Sequence, residues 1–240
     1  MDFEAFGLIS KPISGAVPAS SLRVNADQLR AVCAAVADEG GLLQALWGSD
    51  ERDREGGFLV HVALQHTQGL LIIDLPVTTE ESAFPNLSEI FPSANRMQRA
   101  VDDMLGLTAW NSDSRPWLRH GSWPVDYFPL RRDAGEPESP PIKDDHYRFV
   151  SVKGNGVHEI AVGPVHAGVI EPGHFRLSVV GEKVLRLEER FGYTHKGIEK
   201  RFESLPLTDG HRLAARISGD SAVAFSWAYC MAAEAVCDIT

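Results

Sequence analysis

Gly163, Pro164, Val165, His166 closes a strand-like run and Glu171, Pro172, Gly173, His174 opens the next, so one connecting loop presents two imidazoles and a carboxylate. Titratable groups gathered on one loop are what proton transfer to a bound acceptor requires. Each of the three serves equally well as an ordinary structural side chain, and both readings stand. Further on, Gly192, Tyr193, Thr194, His195, Lys196, Gly197, Ile198, Glu199, Lys200 leads from strand to helix with bracketing glycines and alternating charge. It reads as a solvated helix start, or as a contact between subunits or a site wall. No GxxxxGK followed by Ser or Thr, no GxGxxG after a strand, and no CxxC, HExxH or GxSxG is present. Phosphate-cradling loops, zinc hydrolysis and nucleophile-elbow chemistry therefore lack a local signal. Cys230 and Cys237 fall seven apart on one helical face and read as buried small apolar side chains rather than ligands.

Two sets of elements must position these residues. In the first, Asn25 followed by Gln28 forms a capping box, and Leu29, Val32, Cys33 and Val36 recur at helical spacing up to the Gly40, Gly41 stop. Leu42 to Trp47, Phe58 to Gln65 and Leu70 to Leu75 read as strands of an antiparallel meander. A helix from Ser93 to Leu105, apolar at Met97, Val101, Met104 and Leu105, can cover the sheet. Asp133 to Asp145, with Pro137, Pro140, Pro141 and several acids, reads as an extended linker. The second set has strands at Val157 to Val165, Phe175 to Val180 and Lys183 to Leu187, with a Gly181, Glu182 hairpin turn between the last two. Alternation over Val184 to Glu188 predicts one buried face. Helices follow at Lys196 to Ser204, Asp209 to Arg216 and Ser221 to Val236, the last apolar nearly all round and so expected inside a bundle.

The composition narrows the setting. At 240 residues, 44% hydrophobic and 23% charged, the chain is globular, and its net charge of −10 argues against a basic nucleic-acid-binding face. Three scattered cysteines make a disulfide framework improbable and favour a reducing compartment. The start, Met1, Asp2, Phe3, Glu4, is acidic where a signal peptide would be basic. The longest uncharged apolar run, Ser221 to Ala233, falls short of the roughly 20 residues of a membrane span. Thr240 follows a helical pattern without a capping glycine, from which either the polypeptide is expected to continue or its partner surface to be large.

The run VGPVHAGVIEPGHFRLSVVGEKVLRLEERFGYTHKGIEKRFESLP, from Val162 to Pro206, resembles the large subunit of membrane-bound, energy-converting nickel-iron hydrogenases and its homologue, the 49-kDa subunit of respiratory complex I. The first half is similar to the complex I 30-kDa subunit. QRAVDDMLGL, from Gln98 to Leu107, resembles that family's ERExYDxFGI, with Gln98, Ala100 and Asp102 in place of Glu, Glu and Tyr, and YFPLRRD, from Tyr127 to Asp133, resembles its closing PLRKD. A 30-kDa-like half ahead of a 49-kDa-like half is the order of formate-hydrogenlyase-type large subunits and of fused complex I subunits. The resemblance implies an α+β chain. Residues 1–134 would form an N-terminal α/β sandwich, 135–147 an acidic Pro-rich linker, and 148–240 a small β-sheet and the start of a helical bundle.

By the same resemblance, a hydrogenase segment RxCGxCxxxH that supplies two nickel-iron thiolates corresponds here to Arg216, Ile217, Ser218, Gly219, Asp220, Ser221, with Phe225 at the histidine. Neutral hydroxyls are poor ligands for these metals, so no nickel-iron centre is expected. His166 keeps the position implied to bond a quinone headgroup, while Gly219 takes the place of the accompanying tyrosine. Asp220 is a carboxylate in a segment expected to be buried, with Arg216 one helical turn away either as its structural partner or as a member of a proton relay. The implied function is electron transfer from an iron-sulfur partner to a quinone-type acceptor, coupled to ion translocation. His166 would bind the acceptor, Glu171, His174 and Asp220 would relay protons, and Arg216 would pair with them. The chain is expected to bind no cofactor or metal of its own and no nucleic acid. Its expected partners are an iron-sulfur small subunit and membrane-arm subunits, in a hetero-oligomer on the cytoplasmic side of the inner membrane. A non-catalytic scaffold is the alternative reading, and an active nickel-iron hydrogenase the weakest.

Overall fold

The structure is a computed structural model that describes residues 3–54, 56–119, 123–135, 148–166 and 171–239. These fall into two compact units, one of 3–119, 123–135 and 198–239, the other of 148–166 and 171–197. Most of the expected linker lies outside the described residues.

The first unit is built on a five-stranded sheet. Its strands are β1 (Lys11–Ile13), β2 (Ala19–Arg23), β3 (Leu42–Asp50), β4 (Phe58–His66) and β5 (Gly69–Val77), in the order β1-β2-β5-β4-β3. The meander β3-β4-β5 is antiparallel as expected. The short, polar β2, which has no strand signature of its own, joins β5 in parallel. Helix α1 (Ala26–Asp38) opens with the capping box, Asn25 Oδ1 accepting from the Gln28 N–H at 2.9 Å and Gln28 Oε1 from the Asn25 N–H at 3.0 Å. Its buried stripe Leu29, Val32, Cys33, Val36 packs in one core with Val60, Val62, Leu64, Leu71 and Ile73, so alternate residues of β4 and β5 face the helix.

Helix α2 (Ala94–Leu105) packs against β3, and Gly106 ends it in the left-handed region. Two short strands, β6 (Ala83–Phe84) and β7 (Thr108–Ala109), pair in parallel beside it. The polar residues of α2 hold loops. Gln98, 1% exposed, accepts from the Leu87 N–H at 2.7 Å and donates to Asn86 at 3.0 Å. The buried Asp103 accepts from the N–H groups of Trp117, Leu118 and Arg119 at 2.7, 2.6 and 3.2 Å. A buried carboxylate needs several donors to replace its water, and successive backbone N–H groups supply them.

The end of β3 is tied down in the same way. The Asp50 carboxylate accepts from Arg52 Nε and Nη2 at 2.9 and 2.6 Å, from the Arg52 N–H at 3.1 Å and from the Arg132 N–H at 2.9 Å. Arg52 continues to Asp133 at 2.6 Å, and Arg132 Nε donates to the Asp50 carbonyl at 3.0 Å.

After the second unit the chain adds α3 (Ile198–Phe202), α4 (Gly210–Ala214) and α5 (Ala222–Val236) to the first. Gly210 is buried where the Tyr229 ring of α5 occupies the space of a side chain, and Tyr229 stacks on Phe202 at 5.4 Å and donates to the Leu207 carbonyl at 2.9 Å. The expectation that α5 is buried in a bundle is corrected: none of its described side chains is buried, and Val223, Trp227 and Val236 are 80%, 67% and 79% exposed. An all-apolar run specifies a helix but does not specify its neighbours, and α5 packs chiefly on α4. Cys230 is accordingly half-buried and Cys237 exposed, against the expectation of two buried thiols, whereas burial pushes the Cys33 thiol up to about 12. Among the described residues no helix is long and apolar enough to cross a membrane.

The second unit is a three-stranded antiparallel sheet of β8 (Val157–Val162), β9 (His174–Val180) and β10 (Lys183–Arg190), with β9 central and the Gly181 turn joining the last two strands. The expected buried face of β10 is also corrected. Val184, Leu185 and Leu187 are half exposed, because a bulge between Val184 and Arg186 breaks the alternation and no second layer covers them among the described residues.

Burial pushes the Asp50 carboxyl up, but the hydrogen bonds from the Arg52 side chain and from the Arg132 and Arg52 backbone, with the Arg52 charge, outweigh it and hold the group at about 2. A carboxyl lowered in the folded state stabilises above its unfolded value and loses that contribution as pH falls toward its folded one. Between about pH 4 and pH 2 the unfolding free energy in urea should drop by about 2 kcal/mol on account of this group. The drop should be smaller by that amount in Asp50→Asn, and equal pH slopes would overturn the assignment.

Candidate functional site

β8 ends at Val162 rather than at the expected Val165 because Gly163 turns the chain with φ of +74°. A side chain on Gly163 would collide with the Gly173 carbonyl and meet the His166 ring, so the two ends of the loop approach each other through a glycine. The Gly163 carbonyl accepts a hydrogen bond from His174 Nδ1 at 2.9 Å. Because a carbonyl only accepts, Nδ1 carries the hydrogen, and the Nε2 of a neutral His174 ring is left as an acceptor.

Both loop histidines therefore lie against Gly163. The Nε2 atoms of His166 and His174 are buried and have no hydrogen-bond partner among the described residues. The His174 ring packs on Phe149 at 5.1 Å, and the Arg176 guanidinium, paired with Glu159 at 3.1 Å, lies 4.3 Å from the centre of the Phe149 ring. This stack fixes the imidazole from the side. Glu171 is exposed, with Lys196 of the Tyr193 to Lys200 run 3.9 Å away. Residues 167–170, inside the same loop, lie outside the described residues.

Arg216 and Asp220 belong to the first unit, in the turn between α4 and α5. Asp220 is not the buried carboxylate expected. It is exposed, and it accepts from Ser218 Oγ at 2.6 Å and from Ser221 Oγ at 3.4 Å. The Ser218 hydrogen bond holds its carboxyl below the usual carboxylate range. Ser218 and Ser221, the positions of the two expected thiolate replacements, thus spend their hydroxyls on a neighbouring carboxylate. Such a donor set does not fit a soft-metal centre.

The first unit holds a groove of about 750 Å³ along the open edge of β3, lined among others by Leu46, Trp47, Ser49, Met97, Met104 and Leu130. None of the five expected site residues lines it. It was missed in the sequence because strand and helix signals say which residues are apolar, not which edge stays open.

The residues behind the first-half resemblance have structural employment. Gln98 and Asp103 hold loops, Arg131 lies over Phe128 and Phe58 and donates to the Leu105 carbonyl at 2.7 Å, and Arg132 and Asp133 lock the end of β3. Residues 22–139 match the family model of the respiratory-chain NADH dehydrogenase 30 Kd subunit. This stretch is similar to the complex I 30-kDa subunit.

The similarity continues past the 30-kDa-like domain. The chain is 30% identical over 205 residues, 82% of its length, to formate hydrogenlyase subunit 5 of Escherichia coli (strain K12), and 33% identical over 199 residues, 79% of its length, to hydrogenase-4 component G of the same organism. The C/D polypeptide of the NADH-quinone oxidoreductase of Phocaeicola vulgatus is 28% identical over 212 residues, 80% of this chain. The chain spans only 36% to 40% of the length of these relatives.

Gly163→Ala should disrupt the loop, since a left-handed residue with a side chain costs about 1–2 kcal/mol before any collision is counted. Hydrogen exchange should quicken across β8 and β9 and stay unchanged in α1 and β4. Unchanged exchange in β8 and β9 would show that the turn does not hold the two histidines.

Proposed function

We propose that this chain works within a complex I-like, hydrogenase-related oxidoreductase complex, where its second half carries part of the site at which electrons from an iron-sulfur partner reach a quinone-type acceptor. The observation that carries the reading is the pair of buried Nε2 atoms on His166 and His174, unpartnered among the described residues and placed on the strand-connecting loop that follows the 30-kDa-like domain. Two unsatisfied imidazole nitrogens on rings that both lie against Gly163 suit a ligand that offers both an acceptor and a donor. Quinone carbonyls accept, and the hydroquinone formed on reduction donates.

In this reading His166 binds and protonates the acceptor, and His174 and Glu171 exchange protons with it. Asp220 and Arg216 serve as relay and charge partner. The partners are an iron-sulfur subunit and membrane-arm subunits on the cytoplasmic side of the inner membrane, and electron transfer is coupled to ion movement. No step runs through nickel or iron on this chain, because hydroxyls occupy the positions at which thiolates would be required. The alternative, a scaffold that docks partners without acceptor chemistry, is favoured by the exposed position of Asp220 and by Gly219 where the resemblance implies a tyrosine.

The two readings separate on the intact complex purified from its membrane, assayed for metal content and for reduction of a short-chain quinone. Loss of a proton donor typically costs about a hundredfold or more in rate, so His166→Ala should cut quinone reduction by that order while leaving assembly intact. Unchanged quinone reduction in an assembled His166→Ala complex would favour the scaffold. Stoichiometric nickel on the subunit would overturn the argument from Ser218 and Ser221.

A further inference from the structure

On the sheet face opposite α1, three successive strands of the meander bring polar residues near one another, Ser49 in β3, His61 in β4 and Asp74 in β5. His61 stands directly across from Asp74, and Ser49 sits one step diagonally away, across from Leu59. The three side chains are hydrogen-bonded in series, Ser49 Oγ to His61 Nε2 at 2.9 Å and His61 Nδ1 to Asp74 Oδ1 at 2.7 Å. A carboxylate accepts from Nδ1–H, so the Nε2 of the neutral ring is the acceptor and the Ser49 hydroxyl donates to it. Trp47 stacks on the imidazole at 5.0 Å with the planes 20° apart and holds it in line.

A cross-strand polar pair is common on a half-covered sheet. An ordered series of hydroxyl, imidazole and carboxylate contributed by three strands has a further property. It is the order in which a general base, oriented by a third group, activates a nucleophile. Solvent reaches it, with the His61 and Asp74 side chains 15% and 31% exposed. Trp47 and Ser49 both line the groove at the open edge of β3, whose other walls are mixed, with Leu46, Met97 and Met104 alongside Asp50, Arg132 and Lys200, so a small ester has a place next to Ser49.

We propose that Ser49 is a nucleophile, with His61 as its general base and Asp74 as the residue that positions His61, and that it takes the acyl group of small uncharged aryl esters. Ser49 Oγ attacks the ester carbonyl carbon as its proton passes to His61 Nε2. The bond to the aryloxide then breaks, the aryloxide takes that proton from His61, and an acyl-Ser49 ester remains. Water returns Ser49 by the same path, giving one carboxylic acid and regenerating the hydroxyl. This chemistry needs no redox partner and is independent of the acceptor site on the second unit.

The test treats the purified protein with p-nitrophenyl acetate, following nitrophenolate release, and separately with a fluorophosphonate, locating the adduct by peptide mass spectrometry. One adduct per chain is expected, on Ser49, with a burst of nitrophenolate that Ser49→Ala abolishes. His61→Gln should slow acylation about a hundredfold, the scale of general-base assistance. Asp74→Asn should slow it while Asp74→Glu recovers part of the rate, a pattern that loss of packing would not produce. Circular dichroism of each variant establishes that it is folded. An adduct on another residue, no adduct on the folded wild type, or equal labelling of Ser49 in folded His61→Gln would each overturn the proposal.

Discussion

A carboxylate removed from water at the end of β3 sets the condition that the first unit has to meet. Asp50 is 6% exposed, and a charge so placed is tolerated only when donors replace its hydration. Those donors come from Arg52, two residues on, and from Arg132, 82 residues on, so satisfying one side chain fixes where the distant segment 131–133 must lie. Leu130 then packs against the core, its N–H reaches the Met104 carbonyl at 3.1 Å, and Arg131 covers Phe58 and Phe128. The Pro-Leu-Arg-Arg-Asp run is a latch of local electrostatics, and its likeness to the family's closing signature has a physical content that involves no reaction.

What was legible in the sequence follows the same division. Periodicity and capping located α1, α2 and the three meander strands, because those signals are local and the core they face is built from the same stretch of chain. β2 was not legible: Ala19 to Arg23 is short and polar, and it is a strand because β5 offers it a parallel edge. α5 and β10 were misread for the converse reason. Their apolar residues are real, but burial depends on a second surface, and among the described residues neither has one over most of its area.

The series Ser49, His61, Asp74 shows why some clusters escape motif searches. Its members are 12 and 13 residues apart, a separation set by a nine-residue strand and a short turn, not by any requirement of chemistry. Only the register between strands brings them together. The visible trace was a polar residue interrupting each apolar run, as in Phe-Leu-Val-His-Val-Ala-Leu and Leu-Ile-Ile-Asp-Leu. On a sheet covered on one face, such interruptions at matching parity are expected to meet.

The loop of the second unit was easier to see in the sequence, since its histidines crowd one stretch, but its chemistry depends on a detail no sequence carries. The Gly163 carbonyl consumes the Nδ1–H of His174. A neutral His174 can therefore only accept through Nε2, and it offers nothing to a quinone carbonyl, which also only accepts. Within the proposed acceptor site the two imidazoles are consequently not interchangeable. His166 has to present the N–H that binds the oxidised ligand, while His174 receives a proton donor once reduction has turned that carbonyl into a hydroxyl. The asymmetry originates in one backbone carbonyl, and the left-handed conformation of Gly163 is what aims it.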